Sequence, residues 1–309
     1  GTFNGNGHTI SNVKVANFEY AGLFGQSSGT IENLTVEGAV SSAGKYNYAG
    51  VLVGRNNGNI RNCFTSGSAT STSSSESDYC GGLAGRSDGS IVTSVSIATV
   101  NGSDYVGGLV GASYSSITNC YAQGDVASGY YAGGLVGYSN VTVRNCYAVG
   151  KVKDGTGAGL ISSNSGKIFN SYYRSTNKGN THGFPATTAE MKQKSTFYFW
   201  DFENIWEING SYPSLNVRGT SPSIAFEGDG LSDDPYLIET EEQLYAISVN
   251  LTVNTNQTYY QLANDITITT PHWMPIGLYD AFAGTFDGNG HTISNVKVAN
   301  FEYAGLFGQ

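Results

Sequence analysis

The sequence predicts an all-β chain, a right-handed parallel β-solenoid (β-helix) of 25–31-residue coils with short helical and aromatic caps. Three observations carry that expectation. Apolar residues recur in columns that share one irregular spacing, the runs around them alternate apolar and polar residues at period two, and turn residues separate the runs. Glycine supplies 42 of 309 residues and proline only 6, with no G-X-Y period, which excludes collagen. The 21 tyrosines and 14 phenylalanines offer enough apolar surface to exclude a disordered chain.

The repeats act on two scales. Residues 1–26 and 284–309 are the same sequence save for Asn4 against Asp287, so the chain reads as a window on a tandem array. Inside the module, Leu23, Leu52, Leu83, Leu109, Leu135 and Leu160 follow one another in steps of 29, 31, 26, 26 and 25 residues. Ile31, Ile60, Ile91, Ile117, Val143 and Ile168 keep identical steps, so both columns are expected to stack in a core. Asn33, Asn62, Asn119, Asn145 and Asn170 form a third column, broken by Thr93, expected to be an amide ladder at a bend. The next position holds Leu34, Cys63, Ser94, Cys120, Cys146 and Ser171, read as small or apolar filling.

Taken in order, residues 1–175 are solenoid coils and 176–218 a C-terminal cap. In the cap, Thr187 and Glu190 form a capping box opening a short helix, and Phe197, Phe199, Trp200, Phe202, Trp206 and Tyr212 form an aromatic plug over the solenoid end. Residues 219–225 read as a linker. Residues 226–309 start the next module, with a second capping box at Thr240 and Gln243 and a helical face of Leu244, Ile247 and Leu251.

The segments YAGLFG, YCGGLAG, YVGGLVG and YAGGLVG, each followed by a turn and then I-x-N-C-Y-A or a variant, resemble the GLUG motif of large bacterial and archaeal surface proteins. The resemblance covers residues 18–175. It implies an extracellular, adhesin-like or scaffold β-solenoid, and the family brings no catalytic residues to carry over.

The formal charge of −9 with scattered basic residues argues against nucleic acid as partner, and no apolar run is long enough to span a membrane. The four cysteines, Cys63, Cys80, Cys120 and Cys146, make no C-x-x-C pair, and stacked Cys120 and Cys146 are read as reduced core thiols. Two G-x-S-x-G matches, Gly25 to Gly29 and Gly85 to Gly89, fall in turns with no helix pattern after them, so they are read as turns. His8, His182, His272 and His291 have no second ligand at metal spacing.

Strand alternation points Phe64, Tyr121, Tyr147 and Tyr172 outward along one face, with Val95 interrupting, and these are the candidate ligand-binding residues. Arg144 is assigned an outward position too. Asp78 and Asp104 should stack on adjacent coils as solvated turn carboxylates and are the candidate Ca²⁺ ligands; no other cofactor is expected. Asp229, Asp233 and Asp234 form another acidic turn. The N-x-S/T sequons at Asn33, Asn101, Asn140, Asn209, Asn250 and Asn256 are candidate glycosylation sites.

The function expected is a structural segment of a tandemly repeated extracellular protein, forming a fibre, filament or adhesive stalk. Its expected partners are neighbouring copies of the module, through head-to-tail docking of one chain's cap on the next chain's first coil, and glycans or host or cell-surface proteins. The competing reading is a polysaccharide-acting enzyme or carbohydrate-binding module on a β-helix.

Overall fold

The computed structural model describes residues 1–44, 46–72, 78–128, 130–153, 157–177, 182–216, 226–241, 243–244, 247, 258–269, 273, 275–276, 282–298 and 304–308. The chain divides into two compact units, Gly1–Val217 and Arg218–Gln309.

The first unit is a parallel β-solenoid. Each coil crosses three sheets, all of whose strand pairs run parallel and join residues one coil apart. The first sheet begins at the Ile column, bends at the Asn column and continues; its longest pair joins Thr30–Ser42 to Ile60–Ser71. The second carries Tyr20–Ala21, Asn47–Gly50, Asp78–Gly81, Tyr105–Gly107 and Tyr131–Gly133. The third runs from Phe24–Ser27 through Val53–Asn56, Ala84–Ser87, Val110–Ser113 and Val136–Ser139 to Ile161–Asn164.

The sequence columns build this directly. Leu52, Leu83, Leu109, Leu135 and Leu160 sit wholly buried at the corner between the second and third sheets, with Ile31, Ile60, Ile91, Ile117 and Val143 facing them. Leu23 and Ile168, in the outermost coils, are only partly buried. The backbone ladder continues through the corner, where Leu83 donates to the Leu109 carbonyl at 2.8 Å and Leu109 to that of Leu135 at 2.9 Å. The glycine before that corner is there for space. A Cβ on Gly50, Gly81, Gly107 or Gly133 would meet the carbonyl oxygen three residues on at 2.4, 2.1, 2.1 or 1.8 Å.

The Asn column is the bend. Asn33, Asn62, Thr93, Asn119, Asn145 and Asn170 have φ between +44° and +54°, the left-handed region that Asn tolerates better than other residues with a side chain. Their side chains stack as a ladder in the first coils: Asn33 Nδ2 donates to Asn4 Oδ1 at 3.2 Å, Asn62 Nδ2 to Asn33 Oδ1 at 3.1 Å, and the Thr93 hydroxyl to Asn62 Oδ1.

After the last coil, Phe184–Ala186 pairs with Tyr172–Arg174 and covers that strand's edge. The Thr187 and Glu190 capping box forms, with Thr187 N–H donating to Glu190 Oε2 at 2.7 Å and Glu190 N–H to the Thr187 hydroxyl at 3.2 Å. It opens the expected short helix as two 3₁₀ turns, Glu190–Lys192 and Lys194–Thr196.

In the second unit, Tyr236–Ile238, Tyr259–Leu262 and Thr285–Asp287 form a parallel sheet, and Ile266–Thr267 pairs with Ile293–Ser294. Bridges from Trp273 to Val298 and from Ile276 to Phe307 extend the contact. The repeated first-coil sequence is therefore covered here by the strands that precede it. Thr240 and Gln243 form the second capping box, and Leu244 and Ile247 are buried as expected; Leu251 and the linker 219–225 lie outside the described residues.

Candidate functional site

Strand register brings the expected aromatic column together. Phe64 and Tyr121 flank Val95 on either side, and Tyr121, Tyr147 and Tyr172 follow in successive coils, with Tyr121 and Tyr147 stacked at 4.8 Å. The side chains leave the solenoid core as alternation requires, but only Phe64 stays partly exposed; the three tyrosines do not reach solvent. Tyr121, Tyr147 and Tyr172 are 8%, 0% and 8% exposed, which corrects the reading of a solvent-facing binding surface. The reason is the aromatic segment that follows the coils. It lies along the side of the solenoid rather than plugging its end: Phe197 and Trp200 pack on Tyr147 and Tyr172, and Trp206 packs on Tyr121 and Tyr147. Trp200 Nε1 donates to the Asn170 carbonyl at 2.8 Å, and the Tyr147 hydroxyl donates to that of Pro213 at 2.5 Å while accepting from Gln123 Nε2. Burial pushes the Tyr121 and Tyr172 phenols up to about 12 and that of Tyr147 well above its ordinary value. Arg144 is corrected likewise: it is 5% exposed, with its guanidinium 5.4 Å from the Phe169 ring.

A second tyrosine column takes the accessible position. Tyr20, Tyr48, Tyr79, Tyr105 and Tyr131 stack at 4.9, 5.1, 5.1 and 5.0 Å with interplanar angles of 4–12°. All but Tyr48 are half-buried, and Tyr130, 70% exposed, packs edge-on against Tyr131 at 4.8 Å. The third sheet lays Tyr114, Tyr138 and Arg86 alongside, with the Arg86 guanidinium 4.2 Å from the Tyr114 ring and Tyr138 edge-on to Tyr105 at 5.9 Å. Asp88 holds Arg86 at 2.7 Å and Arg55 at 3.1 Å. Burial works to raise the Asp88 carboxyl, but the hydrogen bonds and charges of the two arginines outweigh it and hold the carboxyl below its ordinary range. Burial, reinforced by the neighbouring Tyr114 phenol, pushes Tyr79 up to about 12.

Stacking covers the ring faces within this ladder, so it presents ring edges and hydroxyls one coil apart, with a cationic fringe. Such a surface suits polar, hydrogen-bonding partners. The signal was in the sequence, since a tyrosine precedes the Leu column in five coils, but it was absorbed into the glycine-rich motif.

The remaining candidates fall as follows. Asp78 is not a solvated turn carboxylate: it is wholly buried, accepting from the Ser71 hydroxyl and, at 3.0 Å, from the Ser103 N–H. Burial raises its carboxyl. Asp104 is half-buried on the adjoining strand position, and Asp229, Asp233 and Asp234 are exposed. Among the described residues no group of three or more His, Cys, Asp or Glu is placed to hold a metal. Ser27 and Ser87, in the two G-x-S-x-G turns, spend their hydroxyls on the carbonyls of Gly29 and Gly89, as Ser113 does on Ser115. Among the sequons, Asn33 has both amide atoms engaged in the Asn ladder, Asn101, Asn140 and Asn209 are exposed, and Asn250 and Asn256 lie outside the described residues.

All four cysteines are free and buried. Cys63, Cys120 and Cys146 share a column with Ser94 and Ser171 that does more than fill space, while Cys80 lies in the second sheet. The Ser94 N–H donates to Cys120 Sγ at 3.4 Å, the Cys120 N–H to Cys146 Sγ at 3.4 Å, and the Cys146 N–H to the Ser171 hydroxyl at 3.1 Å. Each of those side chains in turn donates to the carbonyl two residues before it: Cys120 to Thr118 at 3.2 Å, Cys146 to Arg144 at 3.0 Å and Ser171 to Phe169 at 2.7 Å. The bend turns one N–H per coil away from the ladder, and a small side chain that both accepts and donates satisfies it.

Comparison with known proteins agrees with this architecture. Residues 102–127 and 128–153 each match the GLUG motif, the two coils that carry Tyr105 and Tyr131. Over 106 residues, 29% of this chain, the sequence is 37% identical to Halomucin of Haloquadratum walsbyi, of which the match spans 1%. The fold resembles the crystal structure of a Bacteroides ovatus protein provisionally named an immunoglobulin A1 protease, with a TM-score of 0.53 and 24% identity over 69% of this chain and 76% of that one. At that identity the likeness concerns the fold alone. With its stacked YxGGL corners and I-x-N-C-Y-A bends, the chain is a parallel β-solenoid, two of whose coils match the GLUG motif.

Proposed function

We propose that this chain is a structural stretch of a tandemly repeated extracellular surface protein, a fibre or adhesive stalk whose work is reach and contact rather than catalysis. The observation that carries the reading is the recurrence of one first coil. Residues 285–307 repeat residues 2–24 save for one position, and 285–287, 293–294, Val298 and Phe307 pair with strands of their own preceding segment, as the start of a new module. Tandem solenoids need such a start, because each open end exposes unpaired strand edges. The GLUG repeats and the similarity to Halomucin support a place at the cell surface.

Neighbouring copies of the module are the first partners in this reading. Within the chain, the cap strands Tyr259–Leu262 and Ile266–Thr267 pair with residues 285–294, which leaves them less free to dock on another chain's first coil. End-to-end contact instead draws on Thr2–Phe18, whose partner among the described strands is Thr30–Ser42. Glycans or cell-surface proteins come second, on the ladder of Tyr20, Tyr48, Tyr79, Tyr105 and Tyr131.

Small-angle scattering on chains of one, two and three tandem modules tests the reading. A maximum dimension that rises by an equal step per module supports it, and particles that stay compact refute it. Release of reducing ends or unsaturated products from any polysaccharide would overturn the non-catalytic part.

A further inference from the structure

Register and strand alternation bring four polar side chains together inside the solenoid, where the first sheet turns into the second. Tyr48 and Tyr79 stack on the outside, so Asn47 and Asp78 point inward with Ala49 and Cys80. Asn47 and Asp78 are partners on adjacent strands, and so are Ser42 and Ser71 at the end of the first sheet. All four residues are at most 2% exposed.

Two of them have nothing to bind. Among the described residues, neither the Ser42 hydroxyl nor either atom of the Asn47 amide has a hydrogen-bond partner. Beside them the Asp78 carboxylate accepts only from the Ser71 hydroxyl and Ser103, and no Lys or Arg pairs with it among the described residues. Buried polar groups without partners are costly, and so is ionising a buried carboxyl that has no counter-charge; a bound cation would relieve both. The next coil does not repeat the cluster: there Gly102 takes the place of Ser71, and a single residue separates it from Asp104.

We infer that Asn47, Asp78, Ser42 and Ser71 form an internal binding site for a hard cation of the Ca²⁺ class, held between two coils. The donor set is oxygen only: one carboxylate, one amide carbonyl and two hydroxyls. That chemistry excludes the thiolate- and imidazole-seeking metals. Ca²⁺ accepts irregular shells of six to eight oxygens, completed here by water, whereas Mg²⁺ demands a near-ideal octahedron. A single carboxylate places the dissociation constant in the range of about 10⁻⁴–10⁻³ M, that of extracellular Ca²⁺ modules.

The test uses the full chain after chelation, with Ca²⁺ titrated against thermal unfolding and with Tb³⁺ as a luminescent substitute excited through the adjacent Tyr48 and Tyr79. The wild type is expected to gain Tm saturably with Ca²⁺ and to show Tb³⁺ emission that Ca²⁺ displaces. Asp78→Asn should lose both responses. Asn47→Asp, which adds a second carboxylate, should tighten Ca²⁺ binding at least tenfold, and it decides the matter if Asp78→Asn fails to fold. A wild type indifferent to Ca²⁺ would overturn the site and leave the cluster to ordered water. Ca²⁺ binding that neither substitution changes would also overturn it, by placing the ion elsewhere, for instance on the exposed turn of Asp229, Asp233 and Asp234.

Discussion

Replacing Cys120 separates two accounts of the cysteine column. If the column only fills space, Cys120→Val should preserve stability and Cys120→Ser should lose some, because a hydroxyl is the poorer apolar filler. The hydrogen bonds reverse that order. In Cys120→Ala or Cys120→Val the Ser94 N–H loses its acceptor in a wholly buried place, which costs about 1–3 kcal/mol. Alanine also forfeits the sulfur's packing, of the order of 1 kcal/mol for one heavy atom, and valine forces a branched carbon against the bend at a similar cost. Both should therefore lose roughly 2–4 kcal/mol, whereas Cys120→Ser keeps acceptor and donor and should lose about 1 kcal/mol or less. Urea unfolding, compared at equal slope, reads the difference from the midpoints. A Cys120→Val chain as stable as wild type, with Cys120→Ser weaker, would refute the hydrogen-bonded column.

Other expectations follow from the same packing. Leu109→Ala, in the middle of the corner column, should cost about 2–5 kcal/mol in the same assay. Arg144→Ala should cost more than the ~0.5 kcal/mol of an ordinary surface change, since the residue is buried against Phe169. Stability should fall steeply in alkali: burial raises the Cys63, Tyr121 and Tyr172 pKa values to about 12 from ordinary values of 9.0 and 10.0, so the folded state holds protons that the unfolded state releases. This contribution is complete below pH ~9 and lost as the pH climbs through about 12, and a flat melting temperature across that window would contradict it. Trp206→Ala should cost ~3–5 kcal/mol and let the lateral tyrosines titrate nearer to 10 in a spectrophotometric titration.

The columns were legible in the sequence because a parallel solenoid converts sequence spacing into vertical contact. Leu109 lies between Leu83 and Leu135 in the chain's spacing and in the core alike. The bend was legible too, since Asn at a fixed offset in five coils names the left-handed conformation that the backbone adopts there. Burial of Tyr147 was not. Period-two alternation says which side of a strand a residue faces, but not what later segment comes to rest on it, and Trp200 and Trp206 lie more than fifty residues downstream. Asp78 was misread for a related reason: the stacked Tyr79 ring takes the outer face, so alternation turns Asp78 inward, where the Ser71 hydroxyl and the Ser103 N–H hold it. The Ser and Cys column was placed correctly and understood only in part, because size alone does not reveal that its N–H partners have left the ladder.

The two tyrosine ladders show what decides where a partner can bind. Both arise from one rule, that like residues stack in successive coils, and both place rings about 5 Å apart. They differ in their surroundings. The ladder of Tyr121, Tyr147 and Tyr172 flanks Val95 and Val149 and forms one apolar strip, which is stable only when covered, and the cap covers it. The ladder from Tyr20 to Tyr131 borders Arg55, Arg86 and Asp88, whose charges must stay near water, so a permanent apolar cover over that face would strand them. An aromatic face that cannot be closed by the protein's own cap stays available along every coil that carries it. In the tandem array proposed above it would recur with each module, and weak contacts at one module would be multiplied along the array.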